Sequence, residues 1–123
     1  VDSSFLIALY KTSDVNHQDA RYTMYSLEES DSLILPLISI GEFLIYSGDV
    51  SESINYCKRI SSSFETITES DLNHFEKINQ SKRRTLKAND CLILAICKRK
   101  KAKLLTFDRK LEKMYSSIFS RSH

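Results

Sequence analysis

Short apolar runs alternate along this chain with helix-length patterns, and an acidic residue stands at four of the changeovers: Asp2, Glu42, Asp90 and Asp108. Alternating strands and helices build a parallel sheet with helices on both faces. Parallel strands bring their C-terminal ends to one edge, where open α/β sheets form their ligand sites. Acids far apart in sequence then converge. Carboxylates gathered at close range repel one another, which implies a divalent cation among them. That combination points to metal-dependent chemistry on a phosphate ester.

The pattern can be followed residue by residue. Val1 represents a first strand that is otherwise almost missing, and the apolar run Phe5 to Leu9 follows Asp2-Ser3-Ser4. Residues 15–29 read as helix. Ser32 to Ile38 reads as a buried strand, with Pro36 marking its end because proline cannot donate to a ladder. Helix resumes over Ser39 to Tyr46. Another spans Ser51 to Ile60, capped by Ser51 and stopped by the serines at 61–63. Phe64 to Ile67 alternates as a short strand. Ser70 or Asp71 caps a helix running to about Arg84. Ala88 to Lys100 is a helix whose basic end suits the helix dipole. Lys103 to Phe107 is a strand, Asp108 to about Ser116 a helix, and Ile118-Phe119 a weak last strand.

The 123 residues are expected to form one domain, 1–123, large enough for a single core. Two glycines and one proline leave little room for loops or linkers. Cys57, Cys91 and Cys97 form no CxxC pair, and their odd number with no export leader in sight leads to the expectation of a reducing, cytoplasmic setting. The longest apolar run, Cys91 to Cys97, is too short to span a bilayer, so no membrane association is expected. Charge is unevenly spread. Residues 1–60 carry 4 basic and 9 acidic side chains, and residues 61–123 carry 14 and 7. A basic half attracts polyanions, although a solvated helical surface explains it equally well.

Each acid also has a local explanation. Ser39 to Glu42 fits a capping box. Asp108 is placed to cap the last helix, Asp90 to charge the first turn of its own, and Asp2 or Ser4 to cap the first. Singly, each is more readily a cap than a ligand. Four acids at four junctions exceed what capping needs, since Ser, Thr or Asn would serve. The histidines form no ligand set: His17 and His74 read as surface-helix residues, and His123 is terminal.

The stretch Asp90-Cys91-Leu92-Ile93-Leu94-Ala95, the basic helix end and then Leu104-Leu105-Thr106-Phe107-Asp108 resembles a signature of the PIN domain family, which includes VapC-type toxins. Leu35 to Glu42 is similar to the family's Pro-then-Glu segment, and Asp2-Ser3-Ser4 to its opening Asp motif. His17-Gln18-Asp19-Ala20 matches a first-helix pattern concerned with packing. The family has several apolar residues before the first Asp, where this sequence has Val1 alone, and the turn at Arg99 to Lys103 lacks a frequent glycine.

The resemblance implies a three-layer α/β/α sandwich with a mainly parallel central sheet. It implies that Asp2, Glu42, Asp90 and Asp108 surround Mg²⁺ or Mn²⁺, assisted by the hydroxyls of Ser4 and Thr106. The reaction it implies is in-line attack by a metal-activated water on an RNA phosphodiester, leaving 5′-phosphate and 3′-hydroxyl ends. Arg83, Arg84, Lys87 and Arg109 are candidate phosphate contacts, whereas the run Lys98 to Lys101 reads as solvated surface. An antitoxin protein and a homodimer are the partners it suggests. The alternative is a PIN-like module that binds RNA or protein without cutting. A phosphoacceptor receiver domain lacks its adjacent acids here, and an Asp-nucleophile phosphatase lacks its Asp-x-Asp motif.

Overall fold

The computed structural model describes residues 1–74 and 87–120. Its elements are α1 (Ser3–Tyr10), α2 (His17–Ser26), β1 (Ile34–Pro36), α3 (Leu37–Ser47), α4 (Val50–Ile60), β2 (Ser63–Glu65), α5 (helical over 69–74), α6 (Ala88–Lys100) and α7 (Arg109–Ser120). β1 and β2 pair in parallel, with Leu35 opposite Phe64. The Val1 nitrogen reaches the Ile34 carbonyl at 3.4 Å, and Asp2 N–H donates to Leu105 O at 3.1 Å. Four segments therefore lie in the order 103–107, 1–2, 34–36, 63–65. The expected strand over 103–107 forms no ladder among the described residues; the Asp2–Leu105 bond is its sheet-like link.

Helices cover both faces. Phe5, Leu6, Ala20, Leu35, Ile40, Phe43 and Cys57 form one core cluster, while Cys91, Ile93, Leu94, Leu104 and Leu111 form the other. Leu104 belongs to the second cluster and Leu105 and Phe107 pack against the first. That alternation is what a sheet segment between two helical layers requires. The result is the three-layer α/β/α arrangement with a parallel sheet. Burying side chains such as Phe43 or Leu94 completely contributes about 2–3 kcal/mol each. All three cysteines are free and buried, and burial pushes each thiol upward in pKa.

Several boundaries differ from the sequence expectation for identifiable reasons. Pro36 does end β1, but it also serves as N-cap of α3, so Leu37 and Ile38 are already helical. Ser39 then lies inside the first turn, fully buried with its hydroxyl unpaired, and the expected capping box with Glu42 does not form. α4 is capped by Asp49, whose side chain accepts from Glu52 N–H at 3.0 Å, and not by Ser51. Ser61 closes that helix by donating to Cys57 O at 2.7 Å. Neither Ser70 nor Asp71 is the cap of α5. Thr68 and Asp71 make a reciprocal pair there, with Thr68 N–H bound to Asp71 Oδ2 at 2.9 Å and Asp71 N–H to Thr68 O at 3.0 Å. The part of that helix expected up to Arg84 lies outside the described residues after 74.

Ile118 and Phe119 are helical, not a strand. Leu111, Met114, Tyr115, Ile118 and Phe119 recur at helical spacing against the second core, and the rings of Tyr115 and Phe119 stack at 4.2 Å. His17 is buried, not on a surface, with Nδ1 2.8 Å from Ala8 O, and Ala20 is fully buried; that stretch packs α2 on α1.

Candidate active site

Asp2 is the most constrained of the four acids. It is buried and caps α1, its Oδ1 accepting from Phe5 N–H at 3.2 Å and from Ser4 Oγ at 2.7 Å. Its Oδ2 accepts from Thr106 Oγ1 at 2.7 Å. The two hydroxyl oxygens are 3.2 Å apart, but each hydroxyl has one proton, and the shorter contacts assign both protons to Asp2. Ser4 Oγ in turn accepts from Phe107 N–H at 2.9 Å, and Thr106 Oγ1 from Asp108 N–H at 2.9 Å. Ser4 and Thr106 thus clasp one carboxylate and fix the start of the turn that carries another. A carboxylate offers about four acceptor positions. Three are taken among the described residues, and the remaining one is on Oδ2. Stacking of Phe5 on Phe107 at 5.5 Å, nearly parallel, buttresses the same junction.

Asp108 is exposed and caps α7, accepting on Oδ1 from Lys110 N–H at 3.0 Å and Leu111 N–H at 3.1 Å. Among the described residues Oδ2 carries no hydrogen bond. The local capping explanation therefore holds for Asp2 and Asp108, yet leaves each an acceptor position to spare.

For Glu42 that explanation fails, and Asp90 charges the first turn of its helix, as expected, without capping it. Asp90 lies in the first turn of α6, whose N-cap Lys87 makes no side-chain cap bond, and Glu42 is exposed on α3. Neither carboxylate makes a hydrogen bond or ion pair among the described residues. Desolvation pushes the Asp90 carboxyl above its ordinary pKa, and the charges of Asp108 and Asp2 push it further; Lys87 and Lys110 draw it back. Glu42 is raised likewise by desolvation, then by Asp90 and Asp2, with Lys87 opposing. The four acids brought from three helix starts and one helix face therefore act on a common region. α1 and α3 are locked together beside it by the edge-on contact of Tyr10 and Phe43 at 5.2 Å, and α3 touches α6.

The donor set suits a hard divalent cation, being all carboxylate oxygen with mutual repulsion that nearby lysines only partly offset. Among the described residues, no three Asp, Glu, His or Cys side chains are grouped so as to hold a metal ion together. Mg²⁺ does not need such a group, since it keeps several waters and binds through one or two carboxylates.

Of the expected phosphate contacts, Lys87 is exposed and adjoins the acids, and Arg109 is exposed at the first residue of α7. Arg83 and Arg84 lie outside the described residues. Lys110, two residues after Asp108, acts on Asp90 and was not singled out from the sequence. The signal for it was available: a cation in the first turn of a helix has the wrong sign for the dipole. The run Lys98 to Lys101 is not simply solvated. Arg99 pairs with Asp71 Oδ1 at 2.9 Å and Glu65 Oε1 at 2.8 Å, and also donates to Thr66 O at 3.1 Å. Asp71 is fully buried. Burial would raise its pKa, but the Arg99 guanidinium and the Thr68 N–H outweigh that and hold it below the ordinary value.

The fold and the acids define a class: a three-layer α/β/α protein in which carboxylates from four helices influence one another. The PIN domain family model matches residues 1–116, and the chain belongs to the PIN domain family. Among solved structures, the chain is similar to Mycobacterium tuberculosis VapC20, described as a Sarcin-Ricin loop cleaving toxin. The TM-score is 0.72 and the identity 18%, covering 91% of each chain, which is a likeness of fold. No curated protein matches. Among the described residues, no helix is long and apolar enough to cross a membrane.

Proposed function

We propose that this PIN-family chain is a divalent-metal-dependent endoribonuclease and the toxin of a toxin–antitoxin pair. The observation that carries the reading is the pair Asp90 and Glu42, two carboxylates without hydrogen-bond partners among the described residues, facing two further acids. A structural protein gains nothing from that arrangement, because unpaired like charges destabilise it. Asp2, Glu42, Asp90 and Asp108 are the residues proposed to hold Mg²⁺ or Mn²⁺. When bound, such an ion neutralises the acids, lowers the pKa of water and stabilises charge on phosphate oxygens.

The chain's own groups do the rest. Ser4 and Thr106 fix the rotamer of Asp2, leaving one acceptor position on its Oδ2. The cap bonds of Asp108 hold its Oδ1 and leave Oδ2 for the ligand. Lys87 serves as a phosphate-binding cation near the acids, and Arg109 is a second candidate at the start of α7. RNA is the substrate class supported by the likeness to a toxin that cleaves the Sarcin-Ricin loop and by the basic second half of the chain. An antitoxin that covers the acid edge and a homodimer are partners in keeping with this reading.

The test is cleavage of a mixed RNA pool with Mn²⁺ or Mg²⁺, against EDTA and Asp90→Asn controls. Metal-dependent cutting that is lost in the variant supports the assignment. Equal cutting by a folded Asp90→Asn protein overturns it, and binding of RNA with no cutting under any metal favours the non-catalytic module.

A further inference from the structure

α2 presents two rows of residues at helical spacing, and the fold uses one of them. His17, Ala20, Met24 and Leu27 form the inner row: the first two are buried, and the other two pack against the first core cluster. Val15, just ahead of the helix, and Gln18, Tyr22 and Tyr25 repeat that spacing two residues earlier at every step, which is the opposite side of a helix. Val15 is 93% exposed, Tyr22 76% and Tyr25 77%. Exposed apolar residues scattered singly need no explanation, but a row of them marks a contact face. Gln18, Asp19, Arg21, Tyr22 and Tyr25, all on α2, line an open groove of about 430 Å³. One ring of that groove is set in advance, since Arg21 Nη2 donates to Tyr25 Oη at 2.8 Å.

The charge about the groove decides what covers it. From Asp14 to Asp31 there are five carboxylates, Asp14, Asp19, Glu28, Glu29 and Asp31, against the single guanidinium of Arg21. None of the five is in an ion pair among the described residues. Asp19 lines the groove itself, and Glu28 and Glu29 directly follow the C-cap residue Leu27. Such a rim repels a polyanion, so the tyrosines are badly placed to stack RNA bases. It also disfavours a second copy of this chain, because a two-fold contact joins the same patch on both partners and sets acid against acid. The complement is a segment of another chain, apolar on one side and basic beside it. We propose that the outer face of α2 docks a basic amphipathic helix of a partner protein. Apolar side chains of that helix at i, i+3, i+4 and i+7 pack over Tyr22 and Tyr25, and its cations answer the carboxylates of the rim. Tyrosine suits the task, giving a large amphipathic contact area at low cost in conformational entropy. This goes beyond the nuclease reading and stands without it, since none of the four clustered acids takes part.

The experiment uses the full chain and two fluorescent synthetic helical peptides. Both carry leucines at i, i+3, i+4 and i+7; one has lysines beside them and the other glutamates at the same positions. By fluorescence anisotropy the lysine peptide is expected to bind at least about ten-fold more tightly than the glutamate peptide. Tyr22→Ser with Tyr25→Ser should weaken the lysine peptide about ten-fold or more, as truncation of central interface aromatics does. Asp19→Lys with Glu28→Lys should weaken the lysine peptide and strengthen the glutamate peptide, a reversal that misfolding cannot produce. All four positions are exposed, so thermal melts of both double variants should match the wild type. No binding of the lysine peptide, equal binding of the two peptides, or binding indifferent to the tyrosines overturns the proposal. A dimer seen by sedimentation and lost in the tyrosine variant also overturns it and gives the face to a second copy. Single-stranded RNA binding lost in the same variant overturns it in favour of a stacking platform.

Discussion

α6 holds acidic partners at both ends, and the two ends treat them oppositely. At its start Asp90 has no hydrogen-bond partner among the described residues, faces Asp2 and Asp108, and is pushed toward protonation. At its end Arg99 clasps the fully buried Asp71 with two bonds, at 2.9 and 3.2 Å, and holds it ionised. One carboxylate is surrounded by too much negative charge and the other is fully answered. The second arrangement is what stability selects, because a buried charge must be paired. The first fits the proposed metal site, and on that reading the comparison separates a working end of the helix from an anchoring end.

The largest expected effect is at the working end. Asp90→Asn removes a ligand charge at constant volume, and RNA cleavage should fall by at least about 100-fold, the upper range for losing a supporting partner of a metal ligand. Its Tm without metal should equal or exceed that of wild type, since a repulsive charge is gone. A cleavage-dead variant that is also several degrees less stable would erase the distinction between the two ends.

At the anchoring end the signature inverts. Asp71→Asn leaves the Arg99 guanidinium without its buried partner, and loss of one member of such a pair costs about 3 kcal/mol. For a chain of this size that is roughly a 10 °C fall in Tm. Cleavage by the folded fraction should persist at low temperature. Thermal melts of Asp71→Asn and Arg99→Ala beside Asp90→Asn test this, and unchanged melts would show that the anchor bears no load.

The two ends also differ in how legible they were. Asp2, Asp90 and Asp108 announce themselves by standing at pattern changes, and Pro36 marks the end of β1 by chemistry alone. The three-layer arrangement follows from the same alternation. The Asp71–Arg99–Glu65 cluster does not announce itself, because its members are 28 and 34 residues apart and look locally like a capping acid and a solvated basic run. The helix start at Leu37 was hidden for a related reason: Ser39 is a good cap residue, but Pro36 with its fixed φ starts the helix first. Ile118-Phe119 misleads as an apolar pair unless counted back to Leu111 and Tyr115. Local signals were readable, and what tertiary partners overrode was not.

A smaller effect comes from pH, with opposite signs at the two ends. Asp90 and Glu42 have raised folded-state values. Their contribution favours the fold fully below the ordinary carboxylate value near pH 4 and is lost as pH rises through the raised values. Asp71 is depressed. It contributes fully above about pH 4 and is lost as pH falls through its lowered value. Metal-free Asp90→Asn should therefore lose part of the stability decline seen just above pH 4, while Asp71→Asn should lose part of the decline below it. Adding Mn²⁺ at neutral pH should cancel the first effect, stabilising by about 2.7 kcal/mol at 100 times its Kd. Identical pH profiles for both variants would contradict the assignment of opposite regimes.

The smallest effect lies in the turn just past the anchor. Lys101 closes α6 in the left-handed region, φ 51°, its N–H bonded toward Cys97 and Lys98 carbonyls. Gly48 closes α3 in the same region, φ 75°, where glycine is at ease. A non-glycine residue there costs about 1–2 kcal/mol in strain, part of which glycine returns through its unfolded-state entropy. Lys101→Gly is expected to stabilise by up to about 1 kcal/mol, read as a rise of a few degrees in Tm. Because Lys101 belongs to the anchoring end, cleavage and the salt slope of RNA binding should not change. A shift in either would mean that the basic run past Arg99 reaches the substrate, and the boundary between the two ends of α6 would have to be redrawn.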